Sequence, residues 1–289
     1  MIKEIKYFRN IIKNYRTGES MHCFSMKAVL KHNSVPDVDN NTASIKNMKI
    51  TGKKILITGG ATGLGLGLTG RFIQDNNSVI ICGRREYALK AASDRFPSII
   101  AYRCDLSVPA EREDLFKWIS ENHNDLKVLV NNAGIQQRMT INDKVFYLRA
   151  KEEITINIEA PVHLTSLFLK LDSLDTIINV TSGLSFVPLT TVAVYSATKS
   201  FLHSFTLSLR HLLKPKRIEI IEIIPPGLNT DLGGKGVHDR DLPVDTFIAA
   251  IFEQLEEGRN ELTYGFVENM LQSGPAGLKR AFDRMNPSE

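Results

Sequence analysis

Cysteine is scarce in this sequence, and so are long apolar runs and unbalanced charge outside the first 47 residues. The three cysteines among 289 residues, Cys23, Cys82 and Cys104, are too few and too far apart for a disulfide framework or a zinc site. Cys82 falls in a strand-like run and reads as a buried thiol, so a reducing compartment, the cytoplasm, is expected. His163, His203 and His211 sit on helix-like stretches. None pairs at a metal-ligand spacing, so packing or surface roles are expected for them and no metal site is predicted. No apolar run approaches the roughly 18 residues of a membrane span. The leader also lacks the apolar core of roughly 7–15 residues that a secretory signal needs. The net charge of +4 belongs to that leader: residues 1–47 hold eight Lys/Arg against four Asp/Glu, leaving 28 of each in the remainder. A body without net charge gives no electrostatic reason to expect a nucleic-acid partner.

What is present suits a globular chain of one or two domains. Apolar residues make up 43% and charged residues 24%, ordinary values for a packed fold. Residues 1–16 read as a basic helix with Ile2, Ile5, Ile12 and Tyr15 near one side, and residues 33–47, rich in Asn, Ser and Asp, read as linker. Residues 1–47 are therefore expected to be a flexible extension. A transit peptide is a rival reading that Glu4 and Glu19 oppose. Met48-Lys49-Ile50-Thr51-Gly52 would serve as the beginning of a single domain over 48–289.

Strand candidates follow at 53–58, 78–82, 99–103, 127–131, 175–181 and 217–224. Helical candidates lie between them at about 63–76, 85–95, 108–122, 150–170 and 194–213. This alternation predicts an α/β fold with a parallel sheet covered on both faces. The strands are apolar runs more than alternating ones, as double burial requires. Ligands of such sheets bind outside the strand carboxyl ends, and Thr58, Asp105, Asn131, Ser182 and Pro226 all end or follow strands.

The first strand, Lys54-Ile55-Leu56-Ile57-Thr58, empties into Gly59-Gly60-Ala61-Thr62-Gly63-Leu64-Gly65. Glycines at a strand-to-helix turn let a pyrophosphate approach backbone amides, and the helix N-terminus adds a positive dipole end. The spacing is TGxxxGxG, from Thr58, Gly59, Gly63 and Gly65. Gly65, Gly67 and Gly70 also spell GxGxxG, but that register would leave a long loop after the strand. Gly67 and Gly70 are instead expected on the first helix, packed closely against the sheet.

A second constellation lies further on. Tyr195 and Lys199, in Tyr195-Ser196-Ala197-Thr198-Lys199, are four apart and share a helix face. Ser182 lies upstream of both. An ammonium beside a phenol favours phenolate, so Lys199 is expected to draw Tyr195 down from its reference value near 10 toward acid–base work at neutral pH.

Together these motifs resemble the short-chain dehydrogenase/reductase family. Thr58-Gly59-x-x-x-Gly63-x-Gly65 resembles its cofactor loop and Asn131-Asn132-Ala133-Gly134 its NNAG segment. Asn157, Ser182, Tyr195 and Lys199 match its catalytic tetrad in order, and Pro226-Gly227 with Thr230 resembles its segment beside the nicotinamide. The resemblance covers about residues 51–265. More narrowly, Val79–Arg85, Thr181–Leu189 and His203–His211 are similar to the DltE-type bacterial oxidoreductases, a likeness that names no substrate.

The family likeness implies a single Rossmann-type, doubly wound domain. It implies cofactor contacts from Thr58, Gly59, Thr62, Gly63, Leu64, Gly65, Asp105, Leu106, Asn132, Ala133, Gly134, Tyr195, Lys199, Pro226, Gly227 and Thr230. It places Asp105 near the adenine amino group and Asn157 beside a water of the proton path. An NAD enzyme usually carries an acid after the second strand. Here Gly83-Arg84-Arg85 precedes any acid, and guanidinium suits a 2′-phosphate. NADP is expected, with Arg84 and Arg85 as its markers and NAD as the alternative. The reading is of an oxidoreductase interconverting a carbonyl and an alcohol. A catalytically silent NADP-binding regulator is the rival from another class. Residues 228–245 are expected to form a substrate loop, with Leu184, Phe186, Pro188 and Gln136 as walls. The apolar helix after Lys199 suggests a homo-oligomer, dimer or tetramer.

Overall fold

The computed structural model describes residues 50–287; the expected extension over 1–47 lies outside them. Apolar runs become strands β1 (Lys54–Thr58), β2 (Ser78–Gly83), β3 (Ile100–Arg103), β4 (Val128–Asn131), β5 (Thr176–Val180), β6 (Glu219–Ile224) and β7 (Glu261–Thr263). They form one seven-stranded sheet in the order β3-β2-β1-β4-β5-β6-β7, and every pairing is parallel. Helices α1 (Gly63–Gln74), α2 (Glu86–Arg95), α3 (Pro109–Asn122), α4 (Phe146–Ile154), α5 (Ala160–Phe168), α6 (Ala193–Leu212), α7 (Val244–Glu256), α8 (Phe266–Gln272) and α9 (Gly274–Met285) complete the described chain. This is the expected doubly wound α/β fold.

Strand side chains alternate between two cores. Ile55, Ile57, Val79, Ile81, Val128 and Val130 pack with Leu68 and Phe72 of α1 and with Phe247, Ile251 and Phe252 of α7. Leu56, Ile80, Leu129 and Ile177 face the other way, against Leu115 and Ile119 of α3 and Leu164 and Phe168 of α5. Burial on both faces is why these strands lack polar alternation.

Three expectations change. The helix expected over 150–170 begins earlier, at Phe146, and is interrupted by a π-helical turn, Thr155–Glu159. Pro161 has no N–H to offer the carbonyl of Asn157, so the regular ladder cannot continue there. Gly67 and Gly70 do lie on α1, but neither serves contact with the sheet. A Cβ on Gly67 would come within 2.4 Å of Ile248 on α7, and one on Gly70 within 2.9 Å of Phe96. The loop after β6 is shorter than expected: Leu228 bridges Leu242, and α7 begins at Val244.

Candidate active site

Order reverses between β1 and β4, where chain connections leave in opposite directions and a crevice opens at the strand carboxyl ends. Its volume is about 950 Å³, and it reaches from Arg84 and Arg85 at one end to Ser182, Tyr195 and the loop after β6 at the other.

The glycine loop fits an anionic dinucleotide. Gly59 and Gly63 hold φ of 65° and 53°, a region a side chain would strain. A Cβ on Gly65 would sit 2.2 Å from the Gly59 carbonyl oxygen, so only glycine permits this turn. Thr62 caps α1 without a side-chain hydrogen bond, and the first turn holds no acid. The first amides of the helix are left for an anion. Thr58 lies behind the loop. Its Oγ1 donates to the Val130 carbonyl (3.1 Å) and accepts from the amides of Asn132 and Ala133 (both 3.0 Å). Asn132 Nδ2 donates back to the Thr58 carbonyl at 2.8 Å. Thr58 is fully engaged in joining β1 to β4 and takes no part in the crevice wall.

At the far end the two arginines differ. Arg85 donates to Thr62 Oγ1 at 3.1 Å, which sets its guanidinium over the glycine loop. Arg84 lies 3.8 Å from Glu152 of α4, both about half exposed. Asp105 Oδ1 accepts from the amide and hydroxyl of Ser107 (2.9 and 2.7 Å). Burial pushes this carboxyl upward, but the Ser107 bonds, Arg84 and Arg103 outweigh it and hold it below its ordinary value. Leu106, Asn132, Ala133, Gly134, Pro226, Gly227 and Thr230 all line the crevice, as do Gly59, Gly63, Leu64 and Gly65.

The catalytic candidates converge from three elements. Ser182 follows β5, and its Oγ accepts from the Leu184 amide at 3.1 Å. That leaves its own O–H to donate. Tyr195 and Lys199 lie on α6, almost fully buried. Lys199 Nζ donates to the Val180 carbonyl at 2.8 Å. Asn157, in the π turn, clasps Ile135: its Oδ1 accepts from the amide and its Nδ2 donates to the carbonyl, both at 2.9 Å. Nδ2 also donates to Thr198 Oγ1 at 3.1 Å. Asn157 thus stands behind the crevice, tying the segment after β4 to the helix of Tyr195.

Residues 53–241 match the short chain dehydrogenase family. The chain belongs to that family. The dehydrogenase is 39% identical over 251 residues to the uncharacterized oxidoreductase DltE of Bacillus subtilis, covering 84% of this chain and all of the relative. It is 28% identical to the NADP-dependent 3-hydroxy acid dehydrogenase YdfG of Salmonella typhi, over 59% of this chain and 71% of the relative. Its fold is that of a short chain dehydrogenase from Burkholderia cenocepacia crystallised with NADP, with a TM-score of 0.72 at 24% identity over 84% of this chain and 100% of that one.

In this dehydrogenase, burial pushes the Tyr195 phenol well above its ordinary value. A hydrogen bond with Ser182 acts against that rise and Glu153 adds to it. The expected lowering by Lys199 is not the governing effect. Lys199 Nζ lies 5.7 Å from the centre of the Tyr195 ring, and burial draws Lys199 itself down to about 8. Two walls also differ from expectation. Phe186 packs on His203 at 4.5 Å between ring centroids, and the Pro188 carbonyl accepts from Asn286 at 3.0 Å. Leu184 and Gln136 do line the crevice, joined by Leu189, Val192, Leu232 and Met285.

Two acids escaped the sequence reading. Glu222 of β6 is wholly buried, yet Thr181 Oγ1 donates to it at 2.7 Å and His203 Nδ1 meets both its oxygens at 2.9 and 3.0 Å. The network joins the residue before Ser182 to α6, one helical turn past Lys199, so it fixes the serine against the tyrosine helix. Glu153 of α4 is equally buried and lies one turn before Asn157. A glutamate in a helix carries no mark of burial, and only an apolar pattern around it would have signalled either one.

Proposed function

We propose that the chain is an NADP-dependent oxidoreductase that interconverts a carbonyl and an alcohol, with Tyr195 as the acid and base. The observation that carries this reading is the convergence of Ser182, Tyr195 and Lys199 on the same crevice as the uncapped N-terminus of α1. The residues along that crevice would hold a nicotinamide dinucleotide, whose chemistry would be to give hydride in reduction and take it in oxidation. Ser182 donates to the carbonyl oxygen and stabilises charge as it develops. Tyr195 gives its proton to the same oxygen as it becomes an alkoxide. Lys199 lines the crevice and is anchored on Val180 by one N–H; its remaining N–H groups would be available to the ribose hydroxyls of a bound cofactor. Asn157 holds Ile135 and Thr198, and so keeps the wall and the tyrosine helix in register.

Arg85 over Thr62 supports a 2′-phosphate site, and the YdfG relative is named for the same cofactor. An NAD-linked reading retains one observation in its favour: the charge of Arg84 is shared with Glu152. The apolar side chains that α4 and α6 leave exposed, Tyr147, Leu148, Ile154, Phe201 and Leu212, support a homo-oligomer, and the free, buried thiols of Cys82 and Cys104 suit a reducing cytoplasm. Among the described residues no helix is long and apolar enough to cross a membrane.

The test is a panel of ketones, aldehydes and keto acids assayed with NADPH and NADH in parallel, with Arg84→Ala and Arg85→Ala beside the wild type. Each charge-assisted bond to the phosphate is worth about 1.5–3 kcal/mol, or about 10- to 150-fold in affinity. Arg85→Ala is expected to weaken NADPH by such a factor and leave NADH unchanged, and Arg84→Ala to cost less because Glu152 already holds part of its charge. Equal losses for both cofactors would refute the NADP assignment.

A further inference from the structure

Glu153 is a wholly buried acid beside the catalytic residues, and the reaction outlined above does not use it. Its Oε1 accepts from the amide of Gln137, while Oε2 is buried and has no hydrogen-bond partner among the described residues. Glu153 and Asn157 lie four residues apart, across the junction of α4 and the π turn. Asn157 clasps Ile135, and Glu153, one turn earlier, holds Gln137, two residues further on. The two side chains join α4 and the π turn after it to the segment that carries Gly134 and Gln136 into the crevice.

We infer that Glu153 is a positioning residue of the active site: it holds the crevice wall after β4, and its change between neutral acid and carboxylate with pH biases proton transfer at Tyr195. This rests on the function proposed above for Tyr195. The step is a loss of one proton from the carboxyl to solvent, with no other bond changed. A buried carboxylate with one protein hydrogen bond is poorly solvated, so the neutral acid persists to unusual pH. Burial pushes this carboxyl up to about 7; the Gln137 amide acts against the rise and Glu152 adds to it. The charge then acts on Tyr195, making phenolate harder to form.

Among the described residues, Glu152 and Tyr195 are the titratable groups that act on or answer to Glu153. Glu152 lies beside it on α4, accepts from Gln137 Nε2 at 3.0 Å and is met by Arg84 at 3.8 Å. Tyr195 faces it from α6, and no ion pair joins a cation to Glu153 among the described residues. Ionised Glu153 therefore keeps Tyr195 protonated, which favours donation to an alkoxide over abstraction from an alcohol.

The test compares the full-length wild type with Glu153→Gln, which keeps the acceptor for Gln137 and cannot ionise. Thermal unfolding is followed from pH 4.5 to 8.5 without substrate. The unfolded glutamate loses its proton near pH 4.3 and the folded one near 7, so between these values the folded state holds the extra proton. The wild type should then lose melting temperature relative to Glu153→Gln as pH rises through this window, with the gap constant above it. A gap that stays flat from pH 4.5 to 8.5 would overturn the proposal. The second arm measures the pH profile of ketone reduction with NADPH. The alkaline limb assigned to Tyr195 should move to lower pH in Glu153→Gln, with kcat altered more than KM. An unmoved limb would overturn the link to Tyr195. If no ketone is reduced, that result counts against the proposed function, and the thermal arm alone decides for or against Glu153.

Discussion

At the scale of single residues, the chemistry depends on how few atoms separate a proton donor from a structural phenol. Tyr195→Phe removes one hydroxyl and little volume, so folding and cofactor binding should survive while turnover falls by about 100- to 10,000-fold, the usual worth of a positioned acid. Steady-state kinetics beside a cofactor titration check this, and an unchanged kcat would refute the role. Lys199 yields a prediction of a different kind. Its folded value is near 8 against about 10.4 for an unfolded lysine. Between these values the unfolded state binds the extra proton, so stability rises with pH through that window. Relative to Lys199→Met, the wild type should gain about 3 kcal/mol between pH 7.5 and pH 10.5, since each unit is about 1.4 kcal/mol. Urea unfolding at a series of pH values measures it. A pH-independent difference would mean that the ammonium is not desolvated as described.

At the scale of elements, the sequence made some features plain and hid others for physical reasons. Strands β1, β2, β4, β5 and β6 were legible because burial on both faces demands largely apolar runs; β3 is mostly exposed. The glycine loop was legible because Gly59, Gly63 and Gly65 answer backbone constraints that no side chain meets. β7 went unread because three residues, Glu261–Thr263, form no pattern against a background of loops. α7 carries a helical stripe in Phe247, Ile248, Ile251, Phe252 and Leu255, but no chemical motif marks it. The π turn is a consequence of Pro161 and of Asn157 turning inward, and neither residue announces it alone. Glu222 shows what pattern reading misses. It sits in an apolar strand where a lone acid looks exposed, yet it fastens β5 and α6 through Thr181 and His203. His203→Ala should leave an oxygen of the buried Glu222 without its partner and cost about 1–3 kcal/mol, the range for a buried polar group left unsatisfied. Ser182 should lose its placement with it. Denaturant unfolding gives the first number and kcat the second; Glu222→Gln in the same background should restore much of the stability, and failure to do so would place the cost elsewhere than in the charge.

At the scale of the whole molecule, the crevice gathers residues from the glycine loop, the ends of β2 and β4, α6 and the segment after β6. A dinucleotide lying along it would touch both halves of the sheet, so binding must be coupled to global unfolding and not to one mobile loop. A ligand at 100 times its dissociation constant stabilises a fold by about 2.7 kcal/mol. For a domain of this size each kcal/mol moves the melting temperature by about 2–4 °C, which gives an expected rise of about 5–10 °C with saturating NADPH. NADH at the same concentration lacks the phosphate that Arg85 would meet and should give a distinctly smaller rise. Arg85→Ala should bring the two shifts together by lowering that of NADPH alone. Equal shifts in the wild type would remove the preference for NADP. A shift confined to local protection of the glycine loop, with the global melting temperature unmoved, would show that the cofactor does not bridge the switch point between β1 and β4.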